Sequence, residues 1–343
     1  DVGCPRAPPR TRRIAVVMFW VAILAVSILL YVLLDGFDLG VGILFGLTGD
    51  ETRRRAMMSA VAPIWDGNET WLVVAGVVLW GAFPVVYATL LSAFYLPLVL
   101  MLAGLILRGV AFEYRSKTER LRWIWDFSFA GGSLVAAFMQ GLTVGALVEQ
   151  LPISNGHYTG GEFGWFSPFA VLCGIGLCLG YSLLGACWLV RKCEGDVREA
   201  AYRLIPYLAV GLLVFLVVVF AYALFENLRV VHRWIERPYL FAFPAIGVIA
   251  ALVAAESVRS RRDGVPFYMV ALIFAAAFGT LAISFWPYMI PFSITIEEAA
   301  APHSSLAFMF WGAGLFVFPL MLLYTVISYT VFRGKVRPTA GHY

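Results

Sequence analysis

The sequence predicts an all-α integral membrane protein of about nine transmembrane helices, on three observations. Of its 343 residues, 61 % are hydrophobic and only 13 % are charged, whereas soluble domains carry about 25 % charged residues. Apolar runs of about twenty residues recur from end to end, each long enough to cross a hydrocarbon core about 30 Å thick. No long stretch alternates with period two, so helices rather than barrel strands must satisfy the backbone inside the bilayer.

In chain order the spans fall at residues 14–47, 57–82, 84–112, 127–149, 167–190, 205–226, 239–256, 267–291 and 305–332. The second and third are divided only by Phe83 and Pro84, so a single broken helix there would reduce the count to eight. Most of the 25 basic residues fall in alternate loops. The first loop has Arg53, Arg54 and Arg55, and the third has Arg115, Lys117, Arg120 and Arg122 after Arg108. The fifth has Arg191, Lys192, Arg198 and Arg203, and the seventh has Arg259, Arg261 and Arg262. Arg333, Lys335 and Arg337 follow the last span. By the positive-inside rule this side is cytoplasmic, the C-terminus included. Arg6, Arg10, Arg12 and Arg13 run against the rule, so residues 1–17 are set apart as an extension, non-native or disordered, with translation expected to start near Met18. Arg12 and Arg13 also allow a twin-arginine signal.

Asp35 and Asp38 stand in the apolar run YVLLDGFDLGVGILFGL. A carboxylate at membrane depth costs about 2.5–3.5 kcal/mol on insertion scales, so two on one helix face point to the movement or positioning of charge. The plainer reading has them end the helix by pairing with Arg53, Arg54 and Arg55. An unbroken helix over 14–47 would rise about 51 Å, too long for an upright span. A helix entering the membrane nearer residue 20 puts both acids in its inner half. Around them, Gly36, Gly40, Gly42 and Gly46 form two GxxxG pairs that admit a close neighbour.

A second constellation, PIWDGNETW, puts Asp66 and Glu69 three residues apart at the head of an apolar helix, with Asn68 beside them and Trp65 and Trp71 flanking. Helix capping explains acids there. Convergence with Asp35 and Asp38 at one depth describes a proton path. In a third, ILRGVAFEYRSKTERLRWIWDF, Arg108 and Glu113 end one span and Asp126 begins the next. Arg108 is the natural counter-ion for Asp66 or Asp38, unless it snorkels to the interface.

His157, His232, His303 and His342 all lie outside the spans. Haem ligation at membrane depth uses such residues, so no haem is expected on this chain's own ligands, and no metal site is expected either. Cys4, Cys173, Cys178, Cys187 and Cys193 have no metal spacing and read as free thiols, mostly buried. There is no P-loop, CxxC or HExxH, and nothing suggests nucleic acid. A proton-coupled membrane transporter is the competing class. Against it, the later spans carry few ionisable groups, with Glu226 and Glu256 near ends, so a midplane substrate site is hard to find.

Three ordered motifs, DGFDLGVG (35–42), APIWDGNETW (62–71) and RGVAFEYRSK (108–117), resemble subunit II of the cytochrome bd family of quinol oxidases. WDF (125–127), SFWPYMIPFS (284–293) and LLYTVISYTVF (322–332) fit the same pattern, so the resemblance runs from about residue 18 onward, and the short loops are similar to the cyanide-insensitive branch. It implies two four-helix bundles plus an extra span, the first bundle over 18–150 and the second over 151–343. It also implies a multi-pass protein of the bacterial cytoplasmic (inner) membrane, paired with subunit I in a pseudo-symmetric heterodimer, with a small single-helix accessory subunit as a further partner. The implied complex oxidises quinol and reduces dioxygen to water without pumping protons, and it keeps haems b558, b595 and d in subunit I. This chain alone would then hold no catalytic residue. By the same resemblance Asp35, Asp38, Asp66 and Glu113 mark a proton route, Trp71 lies near an oxygen entrance, and Arg108 and Asp126 support assembly of the haem centres. Ile64 stands where relatives place histidine, and Glu113 where others place aspartate.

Overall fold

The computed structural model describes residues 10–336 apart from positions 155 and 227. Its first half is α1 (Arg10–Gly46), α2 (Glu51–Val61), α3 (Trp65–Ala82), α4 (Pro84–Ala93), α5 (Tyr95–Tyr114) and α6 (Arg122–Glu149). A small hairpin of β1 (Ile153–Ser154) and β2 (His157–Tyr158) leads to α7 (Pro168–Lys192), α8 (Gly195–Phe225), α9 (Arg229–Glu236), α10 (Ala242–Arg259) and α11 (Val265–Phe285). A second hairpin, β3 (Tyr288–Ile290) with β4 (Ile294–Thr295), precedes α12 (Ile296–Ala299), α13 (His303–Met309) and α14 (Val317–Val331). Among the described residues eight helical segments are long and apolar enough to cross a bilayer, and α3 taken with α4 makes a ninth.

The all-α, multi-span class is therefore observed, and the boundaries shift where proline or polar sequence intervenes. The span expected over 57–82 is two helices, because Pro63 lacks an N–H and its ring crowds the preceding turn. Phe83 and Pro84 do not separate two straight spans; α3 and α4 meet there at a 119° corner. The span expected over 267–291 stops at Phe285, and residues beyond it pair as β3. The hairpins leave no period-two pattern in the sequence because each strand is only two or three residues long. Of the extension over 1–17, residues 1–9 (with Cys4 and Arg6) lie outside the described residues, while the chain is already helical from Arg10 and Val17 is buried. Arg337 and His342 also lie outside them.

Helix α1 is the hub, packing on α3, α6 and α7, and α7 in turn packs on α6, α8 and α11. The two GxxxG pairs serve different neighbours: Gly36 and Gly40 face α7, whereas Gly42 and Gly46 face Ser133 and Ala130 of α6. Gly40 sits where backbone meets backbone. A Cβ there would overlap the carbonyl oxygen of Tyr181 and come within 3.1 Å of the Gly185 nitrogen. Gly40→Ala is thus expected to push α1 off α7 and to cost about 1–3 kcal/mol. Retention of folded protein after heating in detergent measures that loss. In contrast α14 buries no residue, and α8 and α10 bury few, so their apolar faces point outward. Cys187 and Cys193 are buried, Cys173 and Cys178 are half-buried, and all four are free.

The basic loops gather at one end of the bundle. There the Lys192 ammonium donates to the carbonyls of Phe332 and Gly334, and Val336 N–H donates to Lys192 O at 2.8 Å. Asp263, between α10 and α11, accepts from Arg198 (2.7 Å), Tyr202 (2.9 Å) and Lys335 (3.0 Å). Partial burial pushes its carboxyl up, but the hydrogen bonds from Arg198, Lys335 and Tyr202 outweigh this and hold it at about 2, against an ordinary 3.8. Because the folded value is the lower one, its stabilisation is complete above the unfolded value and fades as pH falls from 3.8 toward about 2. Asp263→Asn should therefore lower heat resistance at neutral pH by on the order of 1 kcal/mol. The gap from wild type should close across that acid window, as read from heating curves over pH.

Candidate functional site

Asp35 and Asp38 are both fully buried in the C-terminal third of α1, where α3 and α5 pass. Their partners differ. Arg108 of α5, itself fully buried, donates from one nitrogen, Nη2, to Asp35 Oδ1 (2.7 Å) and to Glu69 Oε1 (2.7 Å). Asp38 Oδ2 accepts from Asn68 Nδ2 at 2.6 Å, the same amide reaches Leu34 O at 3.2 Å, and Tyr329 OH of α14 donates to Asn68 Oδ1 at 3.0 Å. Three acids thus surround one guanidinium, and Asp35 Oδ2 and Asp38 Oδ1 accept no hydrogen bond from the described residues. Burial of charges in this excess costs several kcal/mol per ion unless protons or dipoles compensate. Asp35 and Asp38 are sealed, but the Glu69 side chain keeps 23 % of its surface exposed.

The local sequence explains the geometry. Arg108 precedes the end of α5 by six residues, a rise of about 9 Å, so its long side chain reaches inward rather than snorkelling. Gly109 beside it lets the Trp65 ring pack within 3.3 Å of where a Cβ would stand, and Trp65 stacks on Phe112 at 4.8 Å. Glu69 lies one turn into α3 and Asn68 faces the interior, while Asp66 in the first turn is exposed.

Several expectations are corrected. Arg108 pairs with Asp35 and Glu69, not with Asp66 or Asp38. Arg53, Arg54 and Arg55 do not reach Asp35 or Asp38; they pair with Asp196, Asp126 and Glu51. The convergence of acids takes in Asp35, Asp38 and Glu69, while Asp66 stands at the rim. Glu113 is outside it: its side chain is 68 % exposed and lies 3.6 Å from Lys117. Asp126 belongs to a separate network at the basic end, held by Arg54 (2.8 Å) and Arg115 (2.5 Å), with Glu51 bonding Arg115, Arg55 and Arg122. There partial burial pushes the Glu51 carboxyl up, but hydrogen bonds from Arg115 and Arg55, with the nearby charges of Arg115 and Arg122, outweigh it and hold Glu51 below the usual carboxylate range. Trp71 is fully buried and donates from Nε1 to Thr325 Oγ1 of α14 at 3.2 Å.

Sequence reasoning missed a buried chain of neutral groups next to the acids. Tyr181 OH donates to Gln140 Oε1 (2.9 Å), and Gln140 Nε2 donates to Tyr31 OH (2.7 Å). Tyr31 lies one helical turn before Asp35, and that spacing was the available signal. As for haem, His157 sits on β2, His232 on α9 and His303 at the first position of α13. Among the described residues no three His, Cys, Asp or Glu side chains gather to hold a metal ion.

The family model "Cytochrome bd terminal oxidase subunit II" matches residues 16–332. The probable cytochrome oxidase subunit 2 of Haemophilus influenzae is 32 % identical over 92 % of this chain and 94 % of that protein. The cytochrome bd-I ubiquinol oxidase subunit 2 of Escherichia coli is 30 % identical over 92 % and 94 %, and the cytochrome bd ubiquinol oxidase subunit 2 of Bacillus subtilis is 30 % identical over 92 % and 96 %. In fold, the chain is similar to the bd oxidase structure from Geobacillus thermodenitrificans, with a TM-score of 0.76 and 16 % identity over 92 % of this chain and 97 % of that one. With two acids bonded to one buried arginine and a third beside them inside a many-span helical bundle, and with matches along nearly its whole length, this chain belongs to the cytochrome bd terminal oxidase subunit II family.

Proposed function

We propose that this chain is the haem-free member of a quinol-oxidising, dioxygen-reducing complex, that it assembles with haem-bearing subunit I, and that it passes protons inward from the cytoplasm. One observation carries the reading: Asp35 and Glu69 share the single cation Arg108, Asp38 lies beside them on the Asn68 amide, and only Glu69 of the three keeps an exposed edge. The unbonded oxygens of Asp35 and Asp38 are where a proton can reside. Arg108 itself stays protonated, so it holds the acids in place without relaying a proton. Asp66 stands at the outer edge as the collecting acid, and Glu113 belongs to the aqueous approach. Trp71, wedged against α14, lies beside the oxygen entrance in this reading. Quinol oxidation and oxygen reduction take place at the partner's haems, without pumping, in the cytoplasmic membrane.

Family membership favours this over a transporter. A strain lacking the chain is expected to lose both the haem d band in reduced-minus-oxidised membrane spectra and quinol oxidase activity. Persistence of both would overturn the reading.

A further inference from the structure

Between the C-terminal ends of α1 and α7, α2 and the N-terminal part of α8 lies a groove of about 280 Å³ that is lined by no residue of the acid cluster. Leu44, Met57, Leu189 and Leu204 form its apolar floor, and Arg53 and Arg203 stand on its walls. Arg53 is bonded to Asp196. Arg203 is exposed and makes no ion pair or hydrogen bond among the described residues. The nearest acid on its own helix, Glu199 one turn earlier, is taken up by Arg198 and Arg261. Arg203 therefore supplies an uncompensated positive charge at the mouth of an apolar slot.

The surface leading away from Arg203 has a matching character. Tyr207, Val210, Val214 and Val217 follow it at spacings of four, three, four and three, which keeps them on one face of α8, and all are strongly exposed. The sequence of chemistry along this face is a cation, then an amphipathic ring, then hydrocarbon. A basic pocket between membrane helices at the positively charged end suits a lipid headgroup. A free phosphate would leave the apolar floor unused, and a soluble peptide would not lie along a valine row at membrane depth.

We propose that this groove binds an anionic glycerophospholipid, its phosphate on Arg203 with Arg53 opposite, and one acyl chain running from the Leu204 floor along the α8 row. The test uses the purified complex, delipidated and offered dioleoylphosphatidylglycerol or dioleoylphosphatidylcholine, with bound lipid counted by native mass spectrometry. Wild type should retain the anionic lipid in preference to the zwitterionic one. Arg203→Glu reverses one charge, so it should weaken that retention by about tenfold. Leu204→Trp, which fills the floor, should remove the preference too. Arg259→Glu, at the same end but outside the groove, should leave it unchanged, and excess inorganic phosphate should not displace the lipid. Equal retention of the two lipids, an unchanged Arg203→Glu variant, an equal loss in Arg259→Glu, or displacement by phosphate alone would each overturn the proposal.

Discussion

Arg108→Ala is expected to abolish accumulation of the intact complex. The side chain is fully buried, and its Nη2 serves Asp35 and Glu69 together at 2.7 Å each. Removing it leaves Asp35 without any cation partner in a sealed site, a loss of about 3–5 kcal/mol for a broken buried pair. That is a large share of a typical total stability of about 5–15 kcal/mol. The deficit should appear first as a low yield of complex after detergent extraction, and haem content per cell should fall with it. A compensating set separates charge from shape. Replacing a buried pair by apolar or neutral groups of similar volume is often close to neutral. Arg108→Met combined with Asp35→Asn and Glu69→Gln should therefore recover yield while remaining poor in turnover. If Arg108→Ala accumulates normally, or if the triple variant is as depleted as the single one, the guanidinium is not what holds this site together.

The same residues show what the sequence made legible. Asp35 and Asp38 stood out because a carboxylate in an apolar run has few inexpensive explanations. Their partners did not, because spacing along one helix gives a face and says nothing of which long side chain on another helix arrives there. Arg108 could be seen to need an acid, but the choice of Asp35 and Glu69 depends on how α1, α3 and α5 are rotated about their axes. Glu113 is a different case. Five residues after Arg108 on one helix, it points about 140° away, so helical geometry alone sets it off the cluster. The chain Tyr31, Gln140 and Tyr181 was hidden because single uncharged polar groups are common in apolar helices; only contact across three helices makes them a network. The corner at Phe83–Pro84 was half visible: proline announced a break, and its 119° angle is a tertiary result.

Glu69→Gln should slow oxygen reduction while leaving the complex intact. The amide keeps an oxygen that can accept from Arg108 Nη2, so the 2.7 Å contact and the packing of α3 against α5 survive. What disappears is the only protonatable member of the buried trio that touches the exterior, since Asp35 and Asp38 are sealed and Glu69 retains 23 % exposure. A proton must then reach Asp35 or Asp38 without its outer station. If this chain delivers protons, turnover should fall about tenfold or more, about 1.4 kcal/mol in the barrier. Yield and the reduced-minus-oxidised spectrum should stay at wild-type values, and the solvent isotope effect on turnover should rise. Asp66→Asn provides the scale: its carboxylate lies at the exposed rim with no bond into the cluster, so its effect should be smaller. A Glu69→Gln complex with unchanged turnover would remove the acid cluster from the proton route. An equal fall in yield and turnover would instead make Glu69 a structural partner of Arg108.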